Sequence, residues 1–202
     1  MLFIMSRLFC CAIIYIIGAI IISKINTEHK KRNHILLLAS SLILIVVLSL
    51  TPIENTFITF SSVEDSYRYN RVGKVESVIE GKATDLVVGK NNTIFNQEII
   101  PKSQSGWKLG MPLDTKTVKK VISDGLEIRV YQHSTTEDCY LSVLDVNGII
   151  NEILDNIQSS FFKIENSDNI LKKPTYTYYS YLGKYRGEYI LFVNGNSIPI
   201  SI

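Results

Sequence analysis

The sequence predicts a membrane-anchored, β-rich (α+β) protein. A two-helix transmembrane hairpin comes first, followed by an antiparallel β-meander or sandwich-like outer domain with one short helix. Three observations predict this. Two long apolar runs, at 2–22 and 35–50, flank a basic segment. Beyond residue 73 the chain breaks into short stretches separated by Gly-Lys, Asp-Gly and Asn-Gly. The charge is also unevenly divided. Up to residue 50, Arg7, Lys24, Lys30, Lys31 and Arg32 stand against Glu28, a net +4; the whole chain is +2, so the rest is −2. The domains are therefore 1–52 for the hairpin, 53–73 for a membrane-proximal linker with the short helix, and 74–202 for the outer β domain.

A helix rises about 1.5 Å per residue, so about 20 residues cross the hydrocarbon. The first span, 2–22, is interrupted by Ser6 and by Arg7, whose long stem can reach the interface from near the helix end. The second span is placed at 35–52, short enough to need slight bilayer adjustment. Between them, the turn at 23–34 reads SKINTEHKKRNH. Lysine and arginine hold short loops in the cytoplasm, so Lys24, Lys30, Lys31 and Arg32 set the topology, with the turn inside and both termini outside. Antiparallel pairing puts Gly18 level with Ala39 and Ala19 level with Leu38, so the small residues Gly18, Ala19, Ala39, Ser40 and Ser41 lie at matching depth and let backbones approach.

Two competing readings fit less well. A cleaved signal peptide followed by a buried helix is opposed by LLLASSLILIVVLSL, which offers no polar face to a soluble protein. A lipoprotein cleaved before Cys10 or Cys11 wants a small residue ahead of the thiol, and the preceding residues are Phe9 and Cys10. Cys139 is the one cysteine of the outer domain, so no disulfide closes within it and its core must stabilise it. The lack of a disulfide framework and the short positive turn point to a bacterial plasma membrane.

After Pro52 the chain turns polar. Ser61 followed by Glu64 reads as a capping box. It opens a helix at 62–71 with Val63, Tyr67 and Arg71 on one side and Gly73 as the stop. This helix either bridges membrane and domain or transmits a signal between them. Gly-Lys at 73–74, 81–82 and 89–90 then marks three turns of a meander, with strands at 75–80, 83–88 and 91–96. A phosphate-binding glycine loop would need a helix after the glycines, and none is predicted. The third strand runs on to 100 and ends at Pro101. A short strand follows with Trp107, read as core.

A strand at 115–123 enters the Asp124-Gly125 turn. The clearest hairpin joins 126–133 to 138–145 with His133 opposite Asp138. This register puts Leu126, Ile128, Val130, Cys139, Leu141 and Val143 on a core face. Glu127, Arg129, Tyr131, His133, Asp138, Tyr140 and Ser142 fall on a wet face. Cys139 and His133 thus lie on opposite faces, which removes a thiol–imidazole nucleophile. Cys139 reads as a small core residue. His133 and Asp138 read as an exposed cross-strand pair with no serine partner in view.

Asn147-Gly148 is a further turn, with strands expected at 149–154 and 159–164 and a polar loop at 165–169. Tyr176, Tyr178, Tyr179, Tyr181, Tyr185 and Tyr189 then crowd together on strands, where tyrosine packs well. Tyr176 and Tyr178 share one face and Tyr179 and Tyr181 the other. Each buried hydroxyl needs a partner. Tyr176, Tyr178, Tyr179, Tyr181 and Tyr185 are therefore the expected contact surface. The last hairpin turns at Asn194-Gly195 and pairs Leu191 with Ile198 and Tyr189 with Ile200. Pro199 lacks an amide donor, so this strand should be an edge.

The near-neutral outer domain has no electrostatic footprint for nucleic acid. His29 and His34 belong to the turn and His133 to the outer domain, so no metal site is expected. No Gly-x-Ser-x-Gly, His-Glu-x-x-His or nucleotide loop is present. The reading is a non-enzymatic binding or sensing module without cofactor. Its partners are the lipid bilayer and an envelope protein, peptide or glycan. Two alternatives share the anatomy: self-protection against a membrane-active peptide or toxin, and an envelope hydrolase using acid pairs such as Glu64–Asp65 or Glu137–Asp138.

Overall fold

A computed structural model describes residues 2–25, 29–50, 52–92, 94–166, 175–185 and 187–201. Parts of the expected turn, at 26–28, and of the polar loop, at 167–169, lie outside the described residues. Two long helices open the chain, α1 (Leu2–Lys24) and α2 (Lys30–Leu50). Each is long and apolar enough to span a membrane. At 23 and 21 residues they measure about 34 and 31 Å. Their outward faces carry Ile16, Ile17, Ile20, Leu36, Ile43 and Val46, all exposed to the surroundings.

The helix bounds differ from expectation. Lys30, Lys31 and Arg32 form the first turn of α2 rather than a loop, because long straight side chains suit a helix. The helix ends at Leu50 rather than 52, ahead of Pro52 and a 3-10 turn at Ile53–Thr56. The helices meet at Gly18, where a Cβ would lie 2.8 Å from Leu37 Cδ1. Gly18 therefore faces Leu37, not Ala39. Cys11 and Ser41 are also buried between the helices.

The segment after α2 is strapped down at both ends. Glu54 accepts Arg7 Nη2 at 2.6 Å and Nε at 3.3 Å, and both residues are largely buried. Asn55 exchanges two hydrogen bonds with the backbone of Leu109, at 2.7 and 3.1 Å. Lys108 Nζ donates to Ile58 O and Thr59 Oγ1. Helix α3 (Val63–Asn70) follows and approaches α1. Its cap is Ser62, not Ser61: the Ser62 hydroxyl accepts the Asp65 amide at 3.1 Å. Arg71 ends the helix in extended backbone, ahead of Gly73. Val63 and Tyr67 face inward as expected, and Arg71 pairs with the buried Glu98 at 2.7 Å.

Among the described residues, twelve strands make three antiparallel sheets. The first has the order β1 (Lys74–Glu80), β2 (Thr84–Asn91), β3 (Ile94–Ser103), β4 (Gly106–Trp107). The second has the order β5-β6-β7-β10-β9, comprising β5 (Thr115–Ser123), β6 (Leu126–His133), β7 (Cys139–Asp145), β9 (Phe162–Asn166) and β10 (Thr175–Gly183). The third, β12-β11-β8, comprises β8 (Ile153–Asp155), β11 (Glu188–Val193) and β12 (Asn196–Ser201).

Side chains place these layers in series. Val63 and Tyr67 of α3 pack on Val87 and Ile100 of the first sheet. Ile79, Leu86, Val88 and Ile99 from that sheet's other face join Tyr131, Tyr140 and Tyr179 of the second. The second sheet's far face, with Ile128, Val130, Cys139, Leu141 and Val143, packs on Tyr189, Leu191, Val193 and Ile200 of the third. The 126–133/138–145 register is as read from sequence, with Val130 opposite Leu141 and Gln132 opposite Cys139. Its supposed wet face is largely covered, because the first sheet lies across it. His133, Asp138, Tyr140 and Ser142 are all buried.

The remaining differences have local causes. The third Gly-Lys lies inside β2 instead of at a turn. Gly89 is there because Tyr67 sits against it: a Cβ would come within 2.1 Å of the Tyr67 hydroxyl. Strand β3 continues through Pro101, whose carbonyl still accepts the Lys108 amide. The expected strands at 149–154 and 159–164 shrink to β8 and β9. Asp145 takes the amides of Asn147, Ile149 and Ile150, and Asp155 takes those of Ile157 and Ser159. Amides held by a side chain cannot join a ladder. The closing hairpin pairs Tyr189 with Ile200 and Leu191 with Ile198, and β12 is an edge.

The two serines ahead of α3 make a direct test of the cap. Ser62→Ala should lower stability by about 1 kcal/mol, read by urea denaturation in detergent, while Ser61→Ala should stay within a few tenths.

Candidate functional site

Where the first and second sheets part, a polar cleft of about 190 Å³ opens. The first sheet contributes Phe95 and Gln97 from β3. The second contributes Glu127, Arg129 and Tyr131 from β6, Thr177 and Tyr179 from β10, and Asn166 from β9. Alternation along β6 aims Glu127, Arg129 and Tyr131 at the same side. At Tyr131 the sheets are in contact; two and four residues earlier they have separated, so the charged side chains reach solvent.

Gln97 Nε2 donates to the Tyr179 hydroxyl at 2.7 Å across the two sheets. Burial pushes the Tyr179 hydroxyl up to about 12, so it stays protonated. Asn166 Nδ2 donates to Thr177 Oγ1 at 3.1 Å. Glu127 accepts from Lys120 at 3.0 Å and from Arg129, and these two bonds hold its carboxyl below the usual range. Its neighbours Glu127 and Tyr131 push the Arg129 guanidinium up. The result is an open, hydrogen-bonding wall with Phe95 and Tyr131 as aromatic surface. Such a wall suits recognition of polar ligands through hydrogen bonds and ring contact.

The tyrosines fall elsewhere. Tyr178 and Tyr179 are buried, one in each core, and Tyr179 also lines the cleft. Tyr176 is half-buried with Lys163 Nζ 3.8 Å from its ring centroid. Tyr181 is half-buried and donates to Asp138 at 3.0 Å. Tyr185 is half-buried, packs edge-on against Tyr189 at 5.7 Å and donates to Glu188 O. The hydroxyls of Tyr178, Tyr179, Tyr181, Tyr185 and Tyr189 find partners inside the domain. Lys24, Lys30, Lys31 and Arg32 are exposed at the connected ends of α1 and α2.

Asp138 and His133 are cross-strand neighbours, with the His133 amide donating to Asp138 O at 2.9 Å, but both are buried and the Asp138 side chain is engaged elsewhere. The Asp138 carboxylate accepts the Ala83 amide at 2.8 Å, Thr84 Oγ1 at 3.0 Å and the Tyr181 hydroxyl, tying the β1–β2 turn to the second sheet. Nearby, Asp85 accepts Trp107 Nε1 at 2.7 Å and pairs with Lys102 at 2.7 Å. His133 Nδ1 accepts the Thr136 amide at 3.3 Å, leaving Nε2 as the protonated nitrogen, buried and without a partner among the described residues. Cys139 is fully buried, and burial pushes its thiol up. Among the described residues, no group of three His, Cys, Asp or Glu is placed to hold a metal ion. Gln97, Phe95 and Asn166 were not singled out from sequence. Only the alternation of Glu127, Arg129 and Tyr131 on one strand signalled this wall.

Comparison with protein-family models, with curated proteins and with solved structures finds no match to this chain.

Burial lowers the His133 imidazole below its ordinary value of 6.5, outweighing Asp114 and Asp138, which act in the other direction. The unfolded chain then binds the extra proton first. The stability associated with neutral His133 is full above pH 6.5 and is lost as pH falls from there toward the folded-state value. Thermal melts should show this acid-side loss, and His133→Gln should flatten it. An identical pH profile in the variant would contradict the assignment.

Proposed function

We propose that the chain is a non-enzymatic binding or sensing module anchored in a bacterial plasma membrane. Its β layers form a sandwich-like domain at the outer face, and its ligand is an envelope peptide or glycan. Helices α1 and α2 cross the bilayer as a hairpin. Lys24, Lys30, Lys31 and Arg32 hold the connected ends in the cytoplasm, because lysine and arginine near a span resist export. The β domain then stands on the opposite side.

The observation that carries the binding role is the cleft between the sheets. It brings Gln97, Arg129, Tyr131 and Asn166 together from three strands. Its polar groups are hydrogen-bond donors and acceptors, set beside the rings of Phe95, Tyr131 and Tyr179 and the apolar Leu144. The contact surface is this wall, to which the tyrosine-rich strand contributes Tyr179.

A photoreactive phenylalanine analogue at Phe95 tests the reading in intact cells, with the same analogue at the exposed Ile122 as control. Irradiation should give a discrete adduct with envelope material from the Phe95 position alone. Arg129→Ala should reduce that adduct by about tenfold. No adduct, or equal labelling from both positions, would contradict a ligand site in this cleft.

A further inference from the structure

Strand β1 pairs with β2 on one side, and among the described residues no strand pairs with the other. Exposed strand edges recruit other chains unless bulges or charges blunt them. The bulge in β1 lies between Val75 and Ser77, so it blunts the start and leaves Ser77–Glu80 regular. Beside this regular stretch lies a second, larger cleft of about 390 Å³. Val78, Ile79 and Glu80 form one wall, and Ser159, Phe162 and Tyr181 form the other.

Pairing also runs out on the far wall. Strand β9 ends its register with β10 at Phe162 opposite Tyr179, while β10 continues to Gly183 with β7 alone beside it. Among the described residues, the lateral opening between the two sheets is therefore flanked on both sides by strand edges that no further strand pairs. Its floor is apolar, with Ile79 buried and the Phe162 ring 44% exposed at the lip. Glu80 is the one charged residue among those lining it, and it is exposed.

We propose that this cleft takes an extended peptide segment of a partner protein, added as a strand to β1. An apolar side chain sits between Phe162 and Tyr181, and a lysine or arginine sits beside Glu80. Free backbone donors and acceptors are satisfied by another backbone, which gives the affinity. Alternate side chains of the added strand point into the cleft beside Ile79, and those between them lie on the Glu80 face of the sheet, where Glu80 selects basic character. The site is separate from the polar wall at Arg129, so either can fail without the other.

The test uses the full chain in neutral phosphatidylcholine nanodiscs. A fluorescent peptide of alternating lysine and valine is the probe, and one of alternating glutamate and valine is the control. The lysine peptide should bind saturably and slow amide exchange across 77–80. Glu80→Lys and Phe162→Glu should each weaken it about tenfold with unchanged melting temperatures. Glu80→Lys should also turn the preference toward the glutamate peptide. Absence of binding, binding that leaves exchange at 77–80 unchanged, or indifference to both variants would overturn the proposal. Concentration-dependent protection of 77–80 without peptide would overturn it too, by assigning the edge to a second copy of the chain.

Discussion

The Arg7–Glu54 ion pair fixes how the two halves of this molecule meet. Arg7 stands one turn and a half into the first helix, and Glu54 stands just after the second. Their two hydrogen bonds close the open end of the helical hairpin. Both groups are shielded from solvent, at 6% and 13% exposure, so each needs the other. Removing one partner of a buried pair leaves a stranded charge, at a cost of roughly 3–5 kcal/mol. The next residue, Asn55, is clamped to Leu109, and the chain then enters α3, which packs on the first sheet. The β domain is thereby seated on the helices instead of hanging from a loose tether.

Above that seat, stability comes from layers that are covered on both sides. The strand β2 is buried from Thr84 to Gly89, with α3 on one face and the second sheet on the other. Strands β6, β7 and β10 are likewise enclosed between the first and third sheets. Sheets packed in this way must satisfy any polar group they bury. Asp138 and Asp85 do this at one end, where they gather Thr84, Ala83, Tyr181, Trp107 and Lys102 around the β1–β2 turn. Glu98 is the costlier case. Burial raises its carboxyl above the usual range, and Arg71 and Asn70 only partly counter this. At the other end the sheets diverge, and the polar wall at Arg129 is what divergence leaves open.

Much of this was legible in the residues because two periodicities are strong. Uniform apolar runs marked α1 and α2. Alternation with Asp-Gly and Asn-Gly turns fixed β5, β6, β7, β11 and β12, including the partners of Val130 and Tyr189. What escaped was whatever depends on a distant element. Tyr131 and Tyr140 alternate as a solvated face would, since tyrosine is both polar and large; Ile79, Leu86, Val88 and Ile99 of the first sheet, distant in sequence, turn that face into core. Gly89 resembles a turn residue until Tyr67 is placed over it. Asp145 and Asp155 shorten the strands around them by capturing amides, and nothing in 149–154 itself foretells that. The site shared this fate. One strand of it was visible in Glu127, Arg129 and Tyr131, and the opposing Gln97 was not.

The seat of the β domain on the two helices can be measured as a distance. Spin labels at Ile16→Cys on α1 and Ser105→Cys in the β3–β4 turn, with Cys10→Ala, would report it in nanodiscs by double electron–electron resonance. A rigid seat predicts one narrow distance distribution, broadened by Arg7→Leu. A broad distribution in the parent protein, or an Arg7→Leu trace that matches the parent, would contradict it.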